Sequence, residues 1–217
     1  MKSLLIVLIL STLLSGTLLS QPSNQKHTFN LELTLPNALT NKAFGNIMQG
    51  LVNFAPYYQY KMKNNLGFGI GARYAYFTIN EFRVPEPVYG GMHSAAGFLK
   101  FGWEKFHSEG FATDFSIKGG YAQNYFLTDV NDSLGVNPVS VGALFIEPTV
   151  GLILLAETNV SFRLSFSYGW MNFGYSPQLI GLETFGGYDP SDFERTTGYF
   201  NIGFGFTYYF GNGPSPE

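Results

Sequence analysis

Leu66-Gly67-Phe68-Gly69-Ile70-Gly71-Ala72-Arg73-Tyr74-Ala75-Tyr76 is the stretch whose reading decides the fold. Leu66, Phe68, Ile70, Ala72, Tyr74 and Tyr76 share one parity, and Gly67, Gly69, Gly71, Arg73 and Ala75 share the other. Successive side chains of a strand point to opposite faces, so one face here suits hydrocarbon and the other a narrow polar interior. The alternation recurs about eight times after residue 28. This pattern predicts an all-β fold, an eight-stranded antiparallel up-and-down transmembrane β-barrel. A soluble sandwich fits less well, because its outward faces are polar, whereas here the polar face is the minor, glycine-rich one.

Composition points the same way. Hydrophobic residues make up 45% of the 217 and charged residues only 12%, yet beyond the N-terminus no apolar run approaches the length of a spanning helix. The 22 Phe, 14 Tyr and 26 Gly suit aromatic belts outside and a small-residue lining inside. With no cysteine, the chain has no disulfide framework, thiolate metal site or lipidated N-terminal Cys. A net charge of -3 without a basic cluster argues against a nucleic-acid partner. Residues 1–20 read as a secretory signal peptide: Met1-Lys2-Ser3, an apolar stretch from Leu4 to Leu14, then small and polar residues to Ser20. Residues 21–217 are then a single barrel domain.

Eight strands are expected at Thr28–Leu35, Leu51–Met62, Leu66–Ile79, Ser94–Phe106, Phe111–Phe126, Val139–Ala156, Val160–Tyr175 and Gly198–Phe210. Connector lengths alternate. Short links fall at Lys63-Asn64-Asn65, Lys105–Gly110 and Ala156–Asn159, and long ones at Pro36–Gly50, Glu81–His93, Leu127–Pro138 and Ser176–Thr197. With short turns periplasmic and long loops outside, both mature termini lie in the periplasm. Pro56 and Pro148 fall inside strands and cannot donate to a ladder, so each predicts a bulge or a missing hydrogen bond.

Three motifs carry a family resemblance: Asn65-Leu66-Gly67-Phe68-Gly69-Ile70-Gly71, Glu147-Pro148-Thr149-Val150-Gly151-Leu152, and the last strand with Gly203-Phe204-Gly205-Phe206-Thr207-Tyr208-Tyr209-Phe210. On these the mature chain resembles the small outer-membrane β-barrels of Bacteroidota, the group that includes PorT-like proteins, and in size the OmpA/OmpX-type eight-stranded barrels. The resemblance implies a place in the cell outer membrane among its lipids. It also implies that Gly203, Phe206, Tyr208 and Phe210 belong to a signal read by the barrel-assembly machinery, although Gly211–Glu217 follow the last aromatic.

In this register the charged residues within strand cores face inward: Glu32, Arg73, Lys100, Glu104, Asp114, Lys118, Glu147 and Arg163. An eight-stranded barrel has an interior that side chains can fill, and an unpaired charge buried there costs several kcal/mol. Two layers of ion pairs are therefore expected, Glu32, Glu104, Asp114 and Arg163 low and Arg73, Lys100, Lys118 and Glu147 nearer the middle. Such a network reads as a plug, or alternatively as a gated ion path.

Catalytic arrangements are weak. His27 and His107 read as turn residues, while His93 with Ser94 opens a strand at the outer membrane edge, where barrel-type lipid A deacylases work. Those enzymes hold His and Ser two residues apart on one face; adjacent residues face opposite ways, and Ala95 stands where the Ser is required. Glu104 and Asp114 read as salt-bridged rather than tuned for acid–base work. No metal set is present beyond a loose Asp129, Asn131, Asp132 cluster, which reads as hydrated loop chemistry, and no cofactor is implied. The last long loop carries Leu179, Ile180, Leu182, Phe185, Tyr188 and Phe193, too apolar for a merely solvated segment. It docks a partner, or else its aromatics fold over the mouth as a lid or sit in the headgroup layer. The sequence thus predicts a non-enzymatic barrel with a salt-bridged lumen that presents outer loops for binding or for assembly of an envelope or secretion complex. A narrow gated, porin-like channel is the first alternative and a lipid-modifying hydrolase the second.

Overall fold

A computed structural model describes residues 26–62, 64–84, 87–108, 110–155, 159–184, 188–189, 192–193 and 196–210. The expected leader, residues 1–20, and the tail after Phe210 lie outside these. Eight antiparallel strands pair in chain order and close into a barrel: β1 (His27–Thr40), β2 (Met48–Lys61), β3 (Leu66–Ile79), β4 (Gly90–Ser108), β5 (Phe111–Thr128), β6 (Val139–Leu155), β7 (Val160–Gly174) and β8 (Thr196–Phe210). Closure runs from His27 opposite Phe210 to Thr40 opposite Gly198.

The alternation read in the sequence is the alternation of burial. In β7, Ser161, Arg163, Ser165, Ser167 and Gly169 are buried, while Phe162, Leu164 and Trp170 stand exposed. Aliphatic residues on the outward face are among the most exposed, with Leu99 at 65% and Ile70 at 63%. Such a surface is costly in water and suits hydrocarbon. Tyrosine and tryptophan gather toward the strand ends: Tyr58, Tyr60, Trp103 and Tyr208 near the tight turns, and Tyr74, Tyr76, Tyr121, Tyr125 and Trp170 toward the long loops.

Three strand prolines turn their missing N–H to gaps in the ladder. Pro56 continues its pairing with β1, but the β2–β3 pairing skips Ala55 and Pro56. Pro148 pairs with Ile117 of β5, while the β6–β7 pairing skips Glu147 and Pro148. The register is the same on both sides of each gap, so each proline removes ladder bonds without making a bulge. The bulge in β2 lies instead at Gly50/Val52. Pro36, expected to begin a loop, lies inside β1, with its carbonyl turned toward Gly50 where the β1–β2 pairing has ended.

Five strands, β1, β2, β4, β5 and β8, run further toward the long loops than expected, and two of those loops contain α-helices. Asn41, at φ 68°, accepts a bond from the Phe44 amide at 3.1 Å and caps α1 (Lys42–Ile47). Thr128 caps α2 (Asp129–Ser133) by accepting from the Asn131 amide. At the other end, the β2–β3 turn closes through Asn65 at φ 66°, a conformation that asparagine tolerates.

Candidate functional site

Inward glycines decide where long inward side chains can lie. Gly69 pairs with Lys100, Gly151 with Asp114, and Gly205 with both Glu32 and Arg163. A Cβ on Gly69 would meet Lys100 Cβ at 3.3 Å, and one on Gly151 would meet Arg163 Nη1 at 3.2 Å and Asp114 Cβ at 3.4 Å. Each of these charges thus lies over a strand position with no side chain, which lets it reach across the lumen.

All eight inward charges are buried, and they fall into two linked sets. In the set toward the tight turns, Arg163 bonds Asp114 and lies 3.5 Å from Glu104, while Lys100 Nζ is 2.9 Å from Asp114. In the other, Lys118 bonds Glu32 and lies 3.3 Å from Glu147, which lies 3.1 Å from Arg73. Tyr57 joins the sets by donating to Glu32 at 2.9 Å and accepting from Lys100 at 3.4 Å. The membership differs from the expected layers: Lys100 belongs with Glu104, Asp114 and Arg163, and Glu32 with Arg73, Lys118 and Glu147. Side chains of this length lean along the barrel axis, so Cα height does not assign partners. Sequence reading also missed Lys61, near the end of β2, which is 3.1 Å from Glu104 and lies over the Phe106 ring at 4.2 Å.

Toward the long loops the lumen changes character. The Arg73 guanidinium lies over the Phe145 ring at 4.1 Å and bonds Tyr199. Beyond it come Phe77, Met92, Phe126, Phe173 and Tyr175, all buried. Phe44 and Ile47 of α1 enter this cluster fully buried, Phe44 at 5.3 Å from Phe77 and 5.6 Å from Tyr175 between ring centroids. This stopper was not anticipated. Its signal was present as a capping Asn followed by apolar residues at 43, 44 and 47, one face of a helical turn.

Of the loop residues expected to dock a partner, Ile180 and Leu182 are buried in the same cluster, and Leu179, Tyr188 and Phe193 pack against it. Phe185 lies outside the described residues. The loop is tied down at several points: Asn131 Nδ2 donates to Leu179 O at 3.0 Å, Thr128 Oγ1 to Ile180 O at 3.3 Å, and Asn41 Nδ2 to Phe193 O at 3.4 Å, while Lys42 pairs with Asp192 at 3.3 Å. Ile180 and Leu182 therefore close the mouth instead of being displayed. Asn131 is itself buried rather than hydrated, and Asp129 accepts from the Tyr89 and Val130 amides, both at 2.9 Å. Among the described residues, no group of three or more His, Asp or Glu could hold a metal ion.

His93 lies on the outward face, 2.7 Å from the Tyr74 hydroxyl and against the Tyr76 ring, whereas Ser94 is buried inside. The barrel wall separates the pair. His27 stacks on Tyr58 and His107 is 2.8 Å from Thr113 Oγ1, so each histidine is a rim residue among aromatics or hydroxyls. Of the proposed assembly signal, Phe206, Tyr208 and Phe210 face outward, and Gly203 faces inward against Thr34 of β1.

Comparison of the whole fold finds Neisserial surface protein A, with a TM-score of 0.58 at 9% identity, covering 85% of this chain and 97% of that one. Ail, the attachment invasion locus protein of Yersinia pestis, gives 0.47 at 12% identity over 85% and 99%, and OprG from Pseudomonas aeruginosa gives 0.43 at 10% over 88% and 100%. The first likeness is one of fold. No family model matches the sequence. No curated protein matches it either.

Proposed function

We propose that this chain is a non-enzymatic outer-membrane barrel, closed along its lumen, that works through the surface of its loop end. One observation carries the reading: buried inward side chains follow one another along the interior, from the Lys61–Glu104 pair, through the two ion-pair sets, to the aromatic stopper beneath the loops. The uncharged apolar outer band supports a membrane location, with lipid as its solvent. The separation of His93 from Ser94 by the wall argues against the hydrolase reading. The aromatic ending of β8 supports delivery by barrel-assembly machinery, residues 1–20 act as the export signal, and the glycine-aromatic motifs favour the PorT-like group.

The loop end is outward in this proposal and both mature termini are periplasmic. Among the described residues its loop apolar groups open to solvent include Phe82 (88% exposed), Tyr89, Leu134 and Val136, on the second and third long loops. These, rather than Ile180 and Leu182, are the contacts offered to a binding partner or to an envelope or secretion complex. Because the chain has no cysteine, labelling tests the topology on a clean background. A membrane-impermeant maleimide is expected to modify Leu134→Cys in intact cells and to spare Asn64→Cys until the envelope is opened. The reverse pattern overturns the orientation, and labelling of both sites only after opening overturns the display of the loop end at the cell surface.

The second reading is a narrow channel, favoured by the polar inner face of the turn-end half. Steady current through the wild-type protein in planar bilayers supports it over the closed barrel.

A further inference from the structure

Among the described residues the lumen buries five cations, Lys61, Arg73, Lys100, Lys118 and Arg163, against four anions, Glu32, Glu104, Asp114 and Glu147. The excess can be assigned. Glu32, Lys118, Glu147 and Arg73 balance each other. The other set runs Lys61, Glu104, Arg163, Asp114, Lys100, with a cation at each end and one in the middle, so it carries one positive charge more than its carboxylates offset. An uncompensated charge is expensive in a water-poor interior.

The end cations are satisfied. Lys100 Nζ donates to Gln59 Oε1 at 2.8 Å, Asp114 Oδ2 at 2.9 Å and Tyr57 Oη at 3.4 Å, three acceptors for the three protons of an ammonium. Lys61 has Glu104 and the Phe106 ring. Arg163 is not: its buried Nε and Nη2 have no hydrogen-bond partner, Nη2 meeting Glu104 only as an ion pair at 3.5 Å. One inward position along the same strand, the Ser165 hydroxyl is also buried and unpartnered. The strand neighbours here are Gly151 and Gly203 beside Ser165, and Ile153 and Gly205 beside Arg163, which bring no side-chain acceptor; the nearby Asp114 bonds Arg163 through Nη1 and leaves its own Oδ1 buried without a partner. Two guanidinium donors, a hydroxyl and a surplus positive charge coincide in one region of the wall.

We infer that this region binds one small monovalent anion of the halide class, held by Arg163 Nε and Nη2 with Ser165 donating its hydroxyl. A water molecule satisfies these donors but leaves the charge; a halide does both. The ion is structural, a counter-charge that completes the network.

The test uses the full mature protein refolded in detergent, with chloride exchanged for gluconate at constant ionic strength. The wild-type unfolding midpoint is expected to rise with the logarithm of chloride concentration. Lys61→Gln, which removes the surplus charge away from the site, and Ser165→Ala, which removes one donor without touching an ion pair, are each expected to flatten that rise. A wild-type midpoint that ignores chloride overturns the proposal, as does a Lys61→Gln protein with the full wild-type response. In crystals grown from bromide, an anomalous peak beside Arg163 Nε supports the site, and bromide found only at the surface overturns it.

Discussion

The two halves of the lumen close the same narrow space by different means. Toward the tight turns the filling is ionic and comes wholly from strands: Lys61–Glu104 joins β2 to β4, Arg73–Glu147 joins β3 to β6, and Lys118–Glu32 joins β5 to β1. Toward the loops it is aromatic and depends on pieces brought in from outside the wall, α1 and the segment around Ile180. A charge set needs fixed partners at fixed distances, so it belongs where rigid strands carry every member and inward glycines leave room. An apolar cluster tolerates approximate packing, and the short helix capped by Asn41 together with the turn around Ile180 can supply it. The first half fixes how strands sit relative to one another, and the second determines whether the mouth is covered.

Substitutions sharpen this contrast. The largest effect is expected from Lys118→Met, which leaves Glu32 and Glu147 without their shared cation; loss of one partner of a buried pair costs about 3–5 kcal/mol, read as global unfolding in detergent. Phe44→Ala is expected to weaken the docking of α1 by the ~3–5 kcal/mol of a buried Phe, a local opening that leaves the barrel itself folded. Its signature is local: proteolysis of the loops at an almost unchanged barrel midpoint. If Phe44→Ala lowers the midpoint as much as Lys118→Met, the division of labour fails. Gly151→Leu drives a side chain toward Arg163 and Asp114 and should cost about 1–3 kcal/mol. Gly97→Leu, on the outward face with nothing within 4 Å of its added Cβ, serves as the silent control. Lys42→Ala, removing a largely exposed pair with Asp192, should change stability by only ~0.2–1 kcal/mol.

The two halves were not equally legible. Which face a residue takes was readable over most of β1, β3, β4, β5, β7 and β8, because a lipid-facing side and a lumen side differ sharply and alternate with period two. Partner choice was not readable, since Lys100 and Glu32 lean along the axis to sets that their backbone positions do not indicate. Lys61 escaped because it sits at a strand end, where a charged residue reads as solvated. The aromatic half was hidden for another reason. Phe77, Phe126 and Phe173 continue the inward parity as apolar residues, so the lumen pattern fades just where the loop segments enter. Pro36 then made β1 look finished, although its missing N–H lies where β1 has already parted from β2.

The central claim is two closures in series, and conductance in planar bilayers tests it most directly. We predict that the wild type, Lys118→Ala and Phe44→Ala are each silent or nearly so, because one closure remains in every case, and that the double variant conducts. Steady current through the wild type, or a single variant conducting as well as the double, contradicts the account.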